Sequence, residues 1–573
     1  MTPEKLSVRA VNQYRTRDIL AYLGLRYYFA NQCACRDHWA SEVATHLTLS
    51  RNAAGYFQSR HFKERLESGE ITHRDIFLPG PNEIYAEAAL LSECGKHIAF
   101  KSLDCVFSYA LVSDNETQGI YNPYFAGLQE RHRKIAEACR GDSNFVVQYT
   151  DIKRFYPSIS AEVARDAWMK ACSNSQLSPK YRDLGLKLLS NHAEVSAVYE
   201  HGKGLLTGPM FSHLVANLVL RELDETMSAS FPGRYFRYVD DVVLVGTDEQ
   251  VASGRELLST RLNTLGLELH ASGNGKDFQV TVDEWLLGES DFDDGASKGW
   301  MTFSRNLKQF LITQAPSTNS LSQMFSAEGF RLPLPDYKVA VRDAQYQQRF
   351  SDSLRRHPWL LKTIFRQTAP DNLLQSALAL RDDYIRSLNK LLESGVDVSG
   401  YQRKRIIPKI RYFAGRLLYL GKAQDLISFG GKLYAYPELY MLAEIITSVA
   451  TRDVTRLLPL GSNAVQSAAQ VLKLDESIVS CNISSWGAAE RQGLAILRAN
   501  GITVSGPIED ELNLFVLWQE GGQSLMQSQD LFIQEVACLH GVSETARHKS
   551  MLSSVFGRKE ELAFDATTPI ETY

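Results

Sequence analysis

The stretch Arg237-Tyr238-Val239-Asp240-Asp241-Val242-Val243-Leu244-Val245 constrains this chain more than any other. Aromatic and β-branched residues on both sides read as two strands, and the adjacent aspartates sit where a hairpin turns. Within a regular strand neighbouring side chains point to opposite faces, but at a turn both carboxylates can approach one point. Two carboxylates in an apolar hairpin are unfavourable unless positive charge compensates them, and a divalent cation does so directly. An Asp-Asp pair also suits an ordinary β-turn, so the hairpin alone leaves both readings open.

A third acid comes from Phe145-Val146-Val147-Gln148-Tyr149-Thr150-Asp151-Ile152-Lys153-Arg154-Phe155-Tyr156. An apolar strand ends in Asp151, and Ser160 with Glu162 and Val163 then opens a helix to about Cys172. Asp151 beside Asp240 and Asp241 makes a cluster able to hold two divalent ions for in-line displacement at phosphorus. The carbonyl of Ile152 can add an oxygen ligand. With such a cluster, Tyr156 would lie where a nucleotide sugar must pass, and since a bulky ring there can exclude a 2'-hydroxyl, a deoxynucleotide is the expected substrate.

Between the acids, Gly204-Leu205-Leu206-Thr207-Gly208-Pro209-Met210 runs into a helix over Phe211 to Asp224 with an apolar face at Leu214, Val215 and Leu218. Glycines there permit close backbone approach to a base pair. Beyond the hairpin, Val251 to Leu265 reads as an amphipathic helix and Leu265 to His270 as a strand. Lys276 follows in a Gly-Asn-Gly loop, where an ammonium can serve a leaving pyrophosphate or simply face solvent.

The flanking regions are less specific. Residues 1 to about 75 read as helical, with Tyr14, Tyr22, Tyr27, Tyr28 and Phe29 as core candidates. Pro79-Gly80-Pro81-Asn82 is a turn, Cys105 to Val112 a strand, and Tyr124 to Arg140 a helix. That helix carries Arg131, His132, Arg133 and Lys134, either a phosphate-facing patch or a solvated face. From about Asp371 to Val555 the pattern is a series of amphipathic helices without a strict repeat, among them Leu373 to Leu392, Arg403 to Leu420, Glu438 to Val449 and Ala488 to Ala499. Arg403, Lys404, Arg405, Lys409 and Arg411 interleave with Ile406, Ile407, Ile410, Tyr412 and Phe413, a pattern that fits a nucleic-acid backbone or a plain basic helix face. From about Lys559 the chain is acidic and turn-rich, reads as disordered, and ends on Tyr573.

Composition adds exclusions. Hydrophobic residues make up 44% and charged residues 22% of the 573, with a formal net charge of −4. This is no globally basic nucleic-acid binder, although a local basic groove around an acidic site needs no net positive charge. No apolar run approaches the roughly 18 residues of a membrane span, and the first 17 residues lack a signal-peptide core, so a cytoplasmic location is expected. The eight cysteines are scattered, and Cys33-x-Cys35-x-x-His38 has no second half to make a zinc site.

The order Asp151 strand, glycine loop and helix, Tyr-Val-Asp-Asp hairpin, then Leu265-Gly266-Leu267 with Lys276 resembles motifs A to D of the reverse-transcriptase palm, over roughly residues 140 to 280. The resemblance implies an α+β fold: fingers and palm, an antiparallel sheet with helices, followed by an all-α, helical-repeat-like C-terminal domain. The divisions would be N-terminal helices and fingers at 1–140, palm at 141–290, a connecting segment at 291–370, helical domain at 371–556 and a tail at 557–573. By resemblance Asp151, Asp240, Asp241 and Lys276 are the catalytic set, and Ile152, Tyr156, Gly208 and Tyr238 surround the nucleotide. Mg2+, with Mn2+ as substitute, would be held by the three aspartates and the Ile152 carbonyl.

Templated members carry Pro-Gln-Gly where this chain has Leu206-Thr207-Gly208. Similar departures, and a helical C-terminal region in place of a thumb, occur in the bacterial abortive-infection group that defends against phage. That group implies dNTPs as substrates, a single-stranded DNA product, homo-oligomers and priming from a protein hydroxyl, for which Tyr573 and the N-terminal tyrosines are candidates. Copying of a dedicated noncoding RNA is the rival within enzymes. A non-catalytic scaffold sensing a phage or host protein is the rival outside them. No membrane partner is expected.

Overall fold

The computed structural model describes residues 56–508, with breaks at 113–118, 123, 200–201, 274, 291–295, 333, 335–340, 342–343, 396–397, 399 and 476–477, together with residues 9, 10 and 13. The N-terminal tyrosines, the Cys33–His38 cluster, the helices expected beyond 508 and the tail with Tyr573 lie outside the described residues. Within them the chain combines many helices with small, mainly antiparallel sheets, an α+β arrangement.

The first described sheet is a hairpin, β1 (Tyr56–Arg65) and β2 (Ile71–Pro79), where continued helix was expected. Its outer edge explains the difference. Asn463 and Gln492, on the helices Ser462–Leu472 and Ala488–Ala499, accept from the amides of Phe62 and Arg60 at 2.9 and 3.0 Å. Gln492 also donates to the Gln58 carbonyl at 2.7 Å. Side chains 400 residues away therefore cap an edge that local periodicity cannot reveal. Gly461, at φ 95°, permits this approach, since a Cβ there would lie 2.1 Å from the Arg60 carbonyl oxygen.

A four-stranded antiparallel sheet in the order β4-β5-β3-β6 forms the centre: β3 is Val146–Asp151, β4 Tyr235–Tyr238, β5 Asp241–Gly246 and β6 Phe278–Thr281. Strands β3 and β5 are rich in Val, and Val242 to Val245 are fully buried, so helices cover the sheet. Helices at Tyr124–Cys139, Ala161–Ser173, Met210–Val219, Arg221–Ser230 and Asp248–Thr264 flank it. Ser160 caps its helix by accepting from the Val163 amide at 3.2 Å.

Two expected strands are absent. Cys105 to Val112 makes only two isolated one-residue bridges, Val106 to Arg237 and Leu111 to Tyr121, because Tyr109 between them turns into the left-handed region at φ 52°. Leu265 to His270 likewise contributes only the Leu269 to Ile152 bridge, after Gly266 turns at φ 71°. The fourth strand is β6 instead. The helix expected over 211–224 breaks at Leu220 into two.

Beyond 296 the described chain is mostly helical, including Pro370–Gly395, Gly400–Leu420, Ala423–Leu433, Tyr440–Thr451, Ser462–Leu472 and Ala488–Ala499. It is not all-α as expected, since Ile478–Ser480 and Thr503–Ser505 pair as a short parallel sheet. Segment 291–370 is no bare connection, since Trp300, Phe303, Leu307 and Phe325 share one core with these helices and with Phe62 and Leu78 of the hairpin. Among the described residues no helix is long and apolar enough to cross a membrane.

One buried acid ties the hairpin to the sheet-flanking helices. Glu87 accepts from the Tyr56 hydroxyl and the Phe211 amide, each at 3.0 Å, and burial pushes its carboxyl up to about 8. Its folded value lies above the unfolded one. Stability is therefore complete below about 4.5 and falls as pH rises towards about 8. Glu87→Gln is expected to flatten that decline, measured as denaturation midpoints at both ends of the window. An unchanged slope would contradict it.

Candidate active site

The acids meet by strand register. Asp151 ends β3 directly opposite Asp241, the first residue of β5, and Asp240 occupies the turn before it. The Ile152 amide donates to the Asp240 carbonyl at 3.0 Å, so the ends of both strands are tied together.

The turn itself is strained. Val239 is β-branched and sits at φ 56°, a conformation such residues rarely adopt. Its amide donates to Ser108 Oγ and its carbonyl accepts from Arg237 Nη1, both at 2.8 Å. Arg237 is fully buried and makes a fork to Asp224, with Nε–Oδ1 and Nη2–Oδ2 both at 2.7 Å. The Tyr235 hydroxyl donates to Asp224 Oδ1 at 2.7 Å. A buried ion pair thus stands beneath the acidic turn and dictates its backbone.

The acids crowd one another electrostatically. Burial first, then Asp241 and Asp151, push the Asp240 carboxyl up to about 7, with Lys276 opposing. Burial also raises Asp241, against the pull of Arg131, the Tyr149 hydroxyl and Lys404. Tyr149 donates its hydroxyl to Asp241 Oδ1, and Arg131 Nη1 stands 3.8 Å from Asp241 Oδ2. Asp151 Oδ2 pairs with Lys276 Nζ at 3.1 Å. Asp151 Oδ1 is buried without a hydrogen-bond partner among the described residues, with His270 Nε2 at 3.4 Å.

Among the described residues no three His, Cys, Asp or Glu side chains are already gathered to hold a metal ion. Asp151 and Asp241 lean instead on cations and hydroxyls of the chain. The donor set nevertheless fits a hard divalent cation: an orphaned buried carboxylate oxygen, carboxyl groups raised by mutual repulsion, and oxygen donors alone.

Lys276, exposed at the end of its loop, is brought to Asp151. Neighbouring Asp277 anchors the loop: it is fully buried and accepts from Gln148 at 3.0 Å, Thr150 at 2.7 Å and Arg255 at 2.9 Å. The Tyr156 hydroxyl shares a 2.7 Å hydrogen bond with His213 Nδ1, and His213 stacks on Tyr109 with centroids 3.7 Å apart. Tyr238 is buried, donating its hydroxyl to the Tyr124 carbonyl at 3.0 Å. Gly208, at φ 123°, packs on β2, where a Cβ would lie 2.5 Å from the Phe77 carbonyl oxygen.

The candidate basic face at 403–411 is largely committed within the chain. Arg403 forks to Glu438 at 2.7 and 2.9 Å, Arg405 donates to the Leu287 carbonyl and Arg411 to the Glu438 carbonyl, both at 3.0 Å. Of the earlier patch, Arg133 pairs with Glu130 and Glu137 on its own exposed face, while Arg131 turns inward to Asp241. Tyr149, His213, His270, Asp277 and Lys404 were missed as site-facing side chains. Tyr149 was accessible, because a residue two before Asp151 shares its face. Lys404 reaches the sheet across 250 residues and leaves no local signal.

No protein-family model matches the chain, and no curated protein matches it.

Proposed function

We propose that the chain is a DNA polymerase of the reverse-transcriptase type, with the central sheet as palm and the β1–β2 hairpin as part of the fingers, working in bacterial antiphage defence. The observation that carries this reading is the pairing of Asp151 with Asp241 across β3 and β5, with Asp240 at a strained turn beside them. Asp151, Asp240 and Asp241 would hold Mg2+, with the Ile152 carbonyl as a further oxygen donor. When bound, the ions would activate an attacking hydroxyl and neutralise charge on the phosphates.

The chain's own groups account for the rest. A 3'-hydroxyl, or a protein hydroxyl at initiation, loses its proton to solvent water and attacks the α-phosphorus of a dNTP, whose bond to the bridging oxygen breaks so that pyrophosphate leaves. Lys276 Nζ can release Asp151 and donate a proton towards the leaving pyrophosphate. Arg131 and Tyr149 hold Asp241 in place throughout. Tyr156, fixed by His213, stands as the ring that excludes a 2'-hydroxyl.

Labelled dNTP incorporation by purified chain with Mg2+ tests the proposal, without and with cellular RNA, product being examined before and after protease. Product released only by protease supports protein priming, and product only with RNA supports copying of a specific RNA. No incorporation under any condition contradicts the assignment. Tyr156→Val is expected to raise the kcat/KM ratio of NTP to dNTP by about tenfold or more, whereas Tyr156→Phe keeps the ring and the discrimination. An unchanged ratio in Tyr156→Val would remove the sugar-gate role.

A further inference from the structure

Lys404 lies on the helix Gly400–Leu420, far from the acids in sequence, yet its ammonium rests on the central sheet. Its Nζ stands 4.3 Å from the ring centroid of Tyr149 and 4.4 Å from that of Phe278. Those rings sit on paired positions of β3 and β6 and stack with centroids 5.0 Å apart. Tyr149 shares the face of Asp151 and gives its hydroxyl to Asp241. Lys404 is therefore delivered to the edge of the acidic cluster by a helix outside the sheet.

The placement is fixed on several sides. One turn earlier, Tyr401 stacks on Trp285 with centroids 5.6 Å apart and an interplanar angle of 13°. The neighbours Arg403 and Arg405 are bound to Glu438 and the Leu287 carbonyl. Burial draws the ammonium down to about 8, with Asp241 and Asp151 opposing. It rests on two ring faces. Among the described residues no oxygen acceptor or carboxylate is bonded to it, which leaves a largely desolvated ammonium with its donors uncommitted. The charged groups coupled to it are Asp241, Asp151 and Lys276.

An ammonium held this way, beside carboxylates but not bonded to them, suits an anion that enters with its own cations. We propose that Lys404 is a ligand for the triphosphate of the incoming nucleotide, closing the site from the helical side. This rests on the polymerase reading. Tyr149 and Phe278 hold the ammonium by cation–π attraction while the site is empty of nucleotide, and phosphate oxygens take its donors when nucleotide enters.

The test is titration of α,β-imido-dATP with Mg2+, and of Mn2+ alone, into wild type, Lys404→Met and Lys404→Gln. Lys404→Met is expected to weaken the nucleotide analogue by about 10- to 100-fold without weakening Mn2+, and to raise KM for dNTP more than it lowers kcat. Lys404→Gln, which retains a donor without the charge, should fall between and serves if the methionine variant does not fold. Analogue affinity within about twofold of wild type would overturn the proposal and leave the polymerase reading intact. So would equal losses of analogue affinity, Mn2+ affinity and melting temperature, the mark of a helix latch. Wild type binding neither Mn2+ nor analogue would remove the polymerase reading and this role together.

Discussion

Asp240→Asn should abolish nucleotide incorporation and, at the same time, raise the melting temperature of the metal-free chain. Loss of one carboxylate from a metal-binding set removes several kcal/mol of transition-state stabilisation, which at about 1.4 kcal/mol per tenfold is a fall of roughly a thousandfold or more. The gain in stability has a separate cause. Asp240 is raised to about 7 by burial and by Asp241 and Asp151, so the metal-free fold carries mutual repulsion that an amide of the same shape lacks. Mg2+ should then raise the melting temperature of wild type and leave that of Asp240→Asn almost unchanged. Incorporation at the wild-type rate, or a variant less stable than wild type without metal, would count against the account. Such opposition between stability and activity is expected where like charges are gathered for function.

Arg237→Met has the second large effect, and it acts on folding. Among the described residues, the substitution leaves Asp224 buried with no counter-charge and with the Tyr235 hydroxyl as its remaining side-chain donor. Breaking a buried ion pair by removing one partner destabilises by about 3–5 kcal/mol. The double variant Arg237→Met with Asp224→Leu should recover much of that loss, since apolar replacements of both partners are often tolerated. Incorporation should not recover. Arg237 also donates to the Val239 carbonyl, and without that bond the left-handed turn presenting Asp240 is free to relax. Denaturation midpoints alongside incorporation rates separate the two effects. Full recovery of both would show that the pair serves stability alone.

The acidic site was legible because its signals are local. A strand ending in Asp151 and a hairpin turning at Asp240 each depend on a few neighbouring residues, and antiparallel pairing then brings Asp151 opposite Asp241. Lys276 came from the order of motifs in the resemblance, its loop alone fitting a solvent lysine equally well, and the buried Asp277 that anchors this loop left no local signal. The β1–β2 hairpin was missed because Asn463 and Gln492, from distant helices, satisfy its outer edge. Leu265 to His270 looked like a strand by composition, but Gly266 turns the chain and leaves a single bridge. Lys404 was read only as one member of a basic series. Its neighbours Arg403, Arg405 and Arg411 are held within the fold, and only its position on Tyr149 and Phe278 sets it apart. Long-range closure decides these cases, and helix periodicity carries no record of it.

The most direct measurement is Mn2+ binding followed by electron paramagnetic resonance, which needs neither template nor primer. Mn2+ would be titrated into wild type and into Asp240→Asn with Asp241→Asn, without and with dATP. The account predicts Mn2+ binding by wild type that tightens with dATP, and its loss in the double variant. Equal binding by both chains, or none by wild type even with dATP, would contradict the reading of Asp151, Asp240 and Asp241 as the metal site of a polymerase.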